Sequence, residues 1–290
     1  MPFAIFRCCP TNIFLSQYES STDAVLHRLG VDFRDIKDFS CCGYPLKNIQ
    51  FKAYLLCSAR NLALAERHGV DLLTLCNCCY GSLKHAREML NRDGALKEEI
   101  NGSLREEGLN YTEGVRIRHV LEILHKDIGV DRIRGMVGQG FQRGLKVAVH
   151  YGCHLLRPSK TVCFDSPVNP SIFDDLVEVT GAESIAWSTK MDCCGSPVWG
   201  IYDDLSLDLA EKKLKNARDS GAECLCVSCA YCHLQFDRVQ KILVSKRPDL
   251  EPLPSILYPQ LLGLSLGIDP QLLGIHLNLL SMDAITRHLG

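Results

Sequence analysis

Short apolar runs alternate with longer amphipathic stretches along most of the chain. Runs of β-branched and other apolar residues predict strands at 3–7, 32–39, 70–75, 146–150, 183–187 and 223–228. Apolar positions at helical spacing predict helices at 19–29, 51–68, 82–91, 116–128, 171–180 and 203–220, and around 232–244. This alternation of strand and helix predicts an α/β fold in which short parallel sheets are flanked by helices.

Two stretches depart from this alternation. Residues 92–115 are polar and contain glycine, and we expect them to be the least ordered part of the chain. Residues 255–280 are rich in leucine but are interrupted by Pro259, Gly263 and Gly267. They predict a buried helical tail, or an apolar lip on a partner interface or a substrate cleft. They stay short of the ~18 uninterrupted apolar residues that indicate a membrane span, so no span is expected.

A cysteine pattern occurs twice, and each copy follows the carboxyl ends of predicted strands. The first cysteine group is Cys9, Cys41, Cys42, Cys76 and Cys79, and the second is Cys153, Cys193, Cys194, Cys229 and Cys232. The repeat predicts two pseudo-symmetric domains, residues 1–144 and 145–290, with four glycines between 135 and 144 marking the joint and the apolar tail belonging to the second domain. Open α/β sheets bind their ligands at these strand ends.

Composition narrows the function classes. The net charge is −2 and both signs are interspersed, which argues against a nucleic-acid partner. Sixteen cysteines in 290 residues is far above ordinary usage. Disulfide frameworks belong to short secreted chains without a sufficient core, and the first residues lack the features of a signal peptide. We therefore expect reduced thiols and a cytoplasmic protein.

The spacing within each group indicates metal chemistry. A Cys-x-x-Cys pair after a strand brings two soft thiolates to one centre, which suits zinc or iron–sulfur. Two adjacent cysteines chelate one tetrahedral ion only with strain, whereas they reach two irons of a cluster readily. Five ligands with an adjacent pair therefore favour a polynuclear iron centre over zinc. A thioredoxin-like interpretation of each Cys-x-x-Cys leaves both Cys-Cys-Gly turns without a role.

At these residues the chain resembles the catalytic B subunit of heterodisulfide reductases, which carries two copies of the CCG motif. The resemblance covers nearly the whole chain and includes these further segments: 74–77, 80–81, 150–154, 157–158 and 232–233. Iron–sulfur subunits of glycolate, lactate and succinate oxidoreductases share such domains.

The resemblance implies a defined activity and cofactor set. Each cysteine group would hold a noncubane 4Fe-4S cluster, and the coenzyme M–coenzyme B heterodisulfide, or an analogue, would be reduced to two thiols between the two clusters. Electrons would come from a ferredoxin-like iron–sulfur subunit of the same complex, which is fed in turn by its flavin subunit. The alternative is a non-catalytic electron-transfer or structural module in which a site holds zinc or a plain cubane.

Other residues near the motifs have open roles. His154 is either a proton donor to a leaving thiolate or a histidine hydrogen-bonded to a sulfide or the backbone. Arg157 binds an anionic substrate group or is structural. Cys8 competes with Cys9 as the first ligand, and we favour Cys9 because Cys153 follows Gly152 at the matching place. Cys78 is either a neighbouring thiol without a role or an alternative ligand. We expect three other cysteines to be core residues: Cys57, Cys224 and Cys226. We expect Tyr80 and His233 to pack over the centres, and Gly43 and Gly195 to permit the turn after each Cys-Cys pair.

Overall fold

The strands form two four-stranded parallel sheets. The computed structural model describes residues 2–138 and 144–289. The first sheet has the order β2-β1-β3-β4 and the second the order β6-β5-β7-β8. The strands are β1 (Phe3–Phe6), β2 (Phe33–Asp35), β3 (Asp71–Thr74), β4 (Ile117–His119), β5 (Lys146–His150), β6 (Glu183–Ser184), β7 (Cys224–Val227) and β8 (Ser255–Leu257). The two sheets therefore repeat one topology, as expected of a duplication.

Helices connect the strands and flank the sheets. They are α1 (Thr11–Phe14), α2 (Ser16–Arg28), α3 (Phe51–Arg67), α4 (Asn77–Arg92), α5 (Gly94–Leu104), α6 (Val120–Glu122), α7 (Val130–Met136), α8 (Cys153–Leu156), α9 (Ser159–Val162), α10 (Ile172–Glu178), α11 (Asp203–Asp219), α12 (Ala230–Leu234), α13 (Gln240–Lys246), α14 (Tyr258–Ser265) and α15 (Asp283–Thr286). Short 3-10 turns occur at Tyr44–Leu46, Arg105–Glu107, Ser196–Val198 and Ile275–Leu277, and π-helical segments at Ile123–Gly129 and Gln235–Val239.

One compact unit, called unit 1, contains Met1–Cys9, Asp32–Val120 and His154–Pro167. Its core lies between the first sheet and helices α3 and α4, which pack on β3 and on each other. Helix α9 packs on α4, where the Tyr80 hydroxyl donates to the carbonyl oxygen of Val162 at 2.9 Å. Burial of a large aromatic side chain such as Tyr80 contributes to the stability of unit 1.

The other compact unit, called unit 2, contains Pro10–Val31, Leu121–Cys153 and Val168–Gly290. Helix α14 packs on α2, and α10 packs on β5. The Tyr151 hydroxyl donates to the Asp174 carboxylate at 2.8 Å and accepts from the backbone nitrogen of Phe173 at 2.9 Å. Lys190 also pairs with Asp174, at 2.6 Å. The start of α10 is therefore tied to the residue that follows β5.

The two units do not follow a single cut in the chain. Helix α2, from the first half, is part of unit 2, and residues 154–167, from the second half, are part of unit 1. The predicted joint at 135–144 includes residues 139–143, which lie outside the described residues. The boundary between residues 144 and 145 stays a prediction about the duplicated sequence.

The α/β fold with parallel sheets is confirmed, and four local predictions need correction. Residues 92–115 are not the least ordered region, because α5 lies there with its N-terminus capped by the Asp93 carboxylate. Residues 116–128 begin with strand β4 before they become helical. The apolar tail likewise begins with strand β8. Helix α4 begins at Asn77, five residues earlier than predicted, so Cys79 lies in its first turn.

Within the described part of the chain, none of the helices combines the length and the apolar character needed to cross a bilayer.

Candidate metal centres

The first cysteine group assembles at the carboxyl edge of the first sheet. Cys9 follows β1, Cys76 follows β3 and caps α4, and Cys79 lies in the first turn of that helix. The Cys9 and Cys41 sulfurs are 3.9 Å apart, and further thiol contacts join Cys41 to Cys42, Cys42 to Cys79, and Cys79 to Cys76. The five predicted ligands of the first group therefore form one continuous string of sulfurs within unit 1.

The second cysteine group has the same connectivity within unit 2. Cys153 follows β5, while Cys229 follows β7 and caps α12, which carries Cys232. Thiol contacts join Cys153 to Cys193, Cys193 to Cys194, Cys194 to Cys232, and Cys232 to Cys229. Equivalent strands and helices of the two units thus present equivalent strings of five sulfurs.

The glycine after each Cys-Cys pair allows the tight turn that presents both sulfurs. Gly43 and Gly195 have φ values of 81° and 91°, in the left-handed region that disfavours other residues. A Cβ atom at Gly195 would lie 2.6 Å from the carbonyl oxygen of Ser206, and one at Gly43 would lie 2.8 Å from that of Tyr54. Each turn is therefore pressed against a helix with no room for a side chain.

The pKa of the first cysteine of each pair is lowered by its neighbours. Hydrogen bonds from the Cys42 and Cys9 thiols lower the pKa of Cys41 to about 2, and the Gly43 amide donates to the same sulfur at 3.4 Å. In unit 2, hydrogen bonds from the Cys153 and Cys194 thiols lower the pKa of Cys193 to about 2. A thiolate is the form of cysteine that binds metals.

Cys8 adds a sixth sulfur to the first group. The sulfurs of Cys8, Cys76 and Cys79 all lie within 4.8 Å of one another. Cys8 is buried, whereas Cys9 is exposed and contacts Cys41. Unit 1 thus brings both candidates for the first ligand to the site. Gly152 stands at the place of Cys8 in unit 2, so only unit 1 has this extra thiol.

These groups fit an iron–sulfur centre. Each offers a string of five soft sulfur donors, one of which has a strongly lowered pKa. The sixteen cysteines, all within the described residues, form no disulfide. Two adjacent cysteines in contact with different partners along the string suit a centre with several metal ions better than one tetrahedral ion.

The two predicted non-cysteine site residues lie in unit 1. His154 is half-buried, with its Nδ1 atom 3.5 Å from the Cys78 sulfur and its ring 5.1 Å from that of Tyr44. Arg157 is exposed at the end of α8. The structure therefore brings His154 close to the thiol of Cys78, which directly precedes the predicted ligand Cys79. The side chain of Arg157 is exposed instead.

The remaining cysteines and neighbours are distributed as follows. Cys224 and Cys226 are fully buried in β7, Cys57 is half-buried in α3, and Cys163 is exposed. Tyr80 and His233 are buried in the helices that carry Cys79 and Cys232.

Sequence reasoning missed three buried polar residues beside the centres: His150, Lys213 and Asn61. In unit 2, a ring nitrogen of His150 lies within 4.8 Å of the Cys194 and Cys232 sulfurs. Burial lowers its pKa well below the ordinary value, and the Lys213 charge adds to that effect. For Asn61 and Lys213, their equal spacing from the two Cys-Cys pairs was the available signal.

Repeated sheets that each present five cysteines at one edge define a duplicated cysteine-rich metal-binding protein. The sequence profile described as "Cysteine-rich domain" (CCG) matches residues 3–84 and 147–237. The chain therefore belongs to the CCG cysteine-rich domain family, with one copy of the domain in each half.

Particular relatives narrow the class to subunits of redox complexes, which confirms the predicted resemblance. The B subunit of the Ferredoxin/F(420)H(2)-dependent CoB-CoM heterodisulfide reductase of Methanosarcina acetivorans is 39% identical over 279 residues, covering 95% of this chain and 92% of the relative. The B subunit of the Ferredoxin:CoB-CoM heterodisulfide reductase of Methanosarcina mazei is 40% identical, covering 90% and 87%. The 8-methylmenaquinol:fumarate reductase membrane anchor subunit of Wolinella succinogenes is 32% identical, covering 96% of each chain.

A solved structure shares the fold at low sequence identity. The crystal structure of a hypothetical protein from Helicobacter pylori superposes with a TM-score of 0.74 at 17% identity. It covers 96% of this chain, which spans 51% of that chain.

Proposed function

We propose that the protein is the disulfide-reducing subunit of a heterodisulfide reductase-type complex, with a noncubane 4Fe-4S cluster on each cysteine group. The observation that carries the proposal is the duplicated string of five sulfurs, Cys9–Cys41–Cys42–Cys79–Cys76 and its counterpart in unit 2. Similarity to the B subunits of two heterodisulfide reductases supports the reaction class.

The chemistry of the substrate explains why two equal centres are needed. Cleaving a disulfide takes two electrons and two protons, and a single one-electron donor leaves an unstable sulfur radical. When bound, each iron–sulfur cluster supplies one electron and a Lewis-acidic iron for one sulfur. The proposed substrate is the coenzyme M–coenzyme B heterodisulfide or an analogue. The electrons are proposed to come from a ferredoxin-like iron–sulfur subunit and a flavin subunit of the same complex, in the cytoplasm.

The protein residues have separate proposed tasks. The five thiolates of each group hold the cluster, and the Gly43 amide donates a hydrogen bond to the Cys41 sulfur at 3.4 Å. His154 is proposed to deliver a proton to a product thiolate, because an imidazole ordinarily titrates near physiological pH. Arg157, exposed and permanently charged, is proposed to attract an anionic group of the substrate.

Metal analysis of anaerobically purified protein tests the cofactor. We expect about eight irons, as many sulfides and no zinc per chain, as two four-iron clusters require. Cys41→Ser and Cys193→Ser are each expected to remove about half of the iron. Cys163→Ser changes an exposed cysteine outside both groups and is the matched control. Cys9→Ser is expected to lose iron where Cys8→Ser does not. Zinc in either group would contradict the proposal.

Thiol release from candidate disulfides, driven by a reduced viologen, tests the reaction. His154→Gln is expected to slow turnover while both cluster spectra remain intact. Unchanged turnover in that variant would remove the proton-donor role.

A second candidate function is electron transfer without disulfide chemistry. It is favoured by the similarity to the membrane anchor subunit of the fumarate reductase, which aligns over 96% of both chains. A protein with full iron content that passes electrons to an acceptor dye, yet releases no thiol from any disulfide, would support this function instead.

A further inference from the structure

A lysine is buried beneath the second Cys-Cys pair. Lys213 lies on α11, and its side chain is 1% exposed. Its ammonium donates to the carbonyl oxygen of Asp192 at 3.1 Å and to that of Thr189. It also lies 4.6 Å from the centre of the Trp187 ring. Burying an ammonium costs free energy unless nearby groups compensate for its lost hydration, so this position calls for an explanation.

The duplication supplies a comparison within the same chain. Asn61 on α3 and Lys213 on α11 each stand 20 residues after the first cysteine of their pair. The Asn61 amide donates to the carbonyl oxygen of Ser40 at 3.3 Å, as Lys213 does to that of Asp192, and both acceptors directly precede a Cys-Cys pair. The two side chains thus anchor equivalent turns, one in each unit. An uncharged amide is sufficient for that task in unit 1, so anchoring does not account for the charge in unit 2.

The Lys213 charge interacts with the cysteine group of unit 2. Burial lowers the pKa of Lys213 to about 8, while attraction to Cys194, Asp192, Cys232 and Cys153 opposes that fall. Electrostatic interaction is reciprocal, so the ammonium stabilises negative charge on the same sulfurs. At low exposure this attraction is weakly screened by solvent and salt.

We propose that Lys213 is a buried counter-charge that raises the reduction potential of the metal–sulfur centre of unit 2. The inference rests on the proposed iron–sulfur cofactor. Reduction adds one electron, and thus one negative charge, to the centre, and a fixed positive charge nearby favours that state. Lys213 contacts the turn and not the sulfurs themselves, so it is a positioning residue that also acts through its charge. In unit 1, Asn61 leaves the equivalent place neutral.

Redox titration of the iron-loaded protein tests the proposal. Reduction by dithionite with mediator dyes is followed by electron paramagnetic resonance, alongside iron and sulfide analysis. Lys213→Gln keeps an amide donor, as Asn61 does, but removes the charge. We expect it to move the midpoint potential of one of the two transitions downward, with iron content unchanged. Lys213→Met, of similar length, is expected to give the same shift.

The matched control is the neighbouring lysine. Lys212 is 66% exposed and pairs with the Asp192 carboxylate at 3.4 Å. Lys212→Gln removes the same charge one residue away, but solvent screens it, so both midpoints should stay at their wild-type values. Full iron with unshifted midpoints in Lys213→Gln would overturn the proposal, as would an equal shift in Lys212→Gln.

Loss of iron in the neutral variants is also decisive. If Lys213→Arg retains iron and potential where Lys213→Gln and Lys213→Met lose iron, the charge is what the centre requires. If Lys213→Arg loses iron equally, the role is packing and the proposal fails. Wild-type protein without iron in unit 2 would refute the proposed cofactor instead, independently of every variant.

Discussion

We predict that the side chain of Asn61 stabilises the first Cys-Cys-Gly turn through its hydrogen bonds to the backbone. It accepts from the Ser40 amide at 2.9 Å and donates to the carbonyl oxygens of Ser40 and Cys41 at 3.3 and 3.1 Å. A fourth contact, to the carbonyl oxygen of Cys57 at 2.9 Å, lies within α3. Asn61→Leu keeps a side chain of similar volume and removes all four contacts.

The expected loss of stability comes from the three hydrogen bonds that Asn61 makes outside α3. Each hydrogen bond contributes roughly 1 kcal/mol net, so their loss costs about 3 kcal/mol. Burying a leucine at a site that is 0% exposed returns about 1 kcal/mol. We therefore expect Asn61→Leu to lower the free energy of unfolding by about 2 kcal/mol. The freed turn should also hold Cys41 and Cys42 less firmly, which lowers the iron content of the first group.

Urea denaturation of the reduced, metal-free protein, followed by circular dichroism, measures the stability, and iron analysis measures the second effect. Asn91→Ala is the control, because Asn91 lies in the same unit and accepts a single bond, from the Tyr111 hydroxyl at 3.1 Å. If Asn61→Leu costs no more stability than Asn91→Ala and retains full iron, Asn61 does not hold the turn.

Two further predictions concern a close helix approach and a buried imidazole. Gly81→Ala should destabilise the protein by about 1–3 kcal/mol, because its Cβ atom would lie 2.8 Å from the carbonyl oxygen of His154. Gly102 faces open space within a helix, so Gly102→Ala should stabilise the protein by about 0.5–1 kcal/mol. Urea midpoints that move in the same direction in both variants would contradict this prediction. Burial holds the folded-state pKa of His150 well below its unfolded value of about 6.5, so the unfolded state binds the proton first as pH falls. In metal-free protein at pH 5, this imidazole is expected to cost about 2 kcal/mol of the free energy of unfolding. That loss should be absent in His150→Phe. If the variant loses as much stability in acid as the wild-type protein does, His150 is not involved.

The elements that carry the cysteines were predictable because each is a strongly apolar run that ends at a motif. Strands β1, β3, β5 and β7 follow from such runs, and the long helix α3 from its amphipathic spacing. Their common topology could be expected from the repeat of the cysteine spacing alone.

The missed elements are short or polar. Strands β4 and β8 have three residues each and lead directly into helices, so their apolar residues merge with the helical pattern. Helix α5 mixes charged residues and two glycines with its apolar residues, and it packs on α3 and α4. Asn101 of this helix also binds both backbone groups of Tyr111, with distances of 2.8 and 3.2 Å. Asn101 and Tyr111 are ten residues apart, and a single pairing at that separation leaves no periodic signal in the sequence.

The candidate sites were also predictable only in part. The spacing of the cysteines identified both groups because cysteine is itself a metal-binding residue type. Asn61, Lys213 and His150 were not found, since their importance comes from burial beside those sulfurs and from equivalence between units. Comparing the two halves position by position would have singled out Asn61 and Lys213, which stand at equal distances from their Cys-Cys pairs.

The exchange of segments between the halves makes each compact unit depend on both halves of the sequence. Helix α2 is encoded before residue 32 yet completes unit 2, and residues 154–167 are encoded after Cys153 yet complete unit 1. A gene truncated at the joint would leave each product short of a piece that the discarded half encodes. Deletion of either half is therefore expected to destabilise the unit that remains.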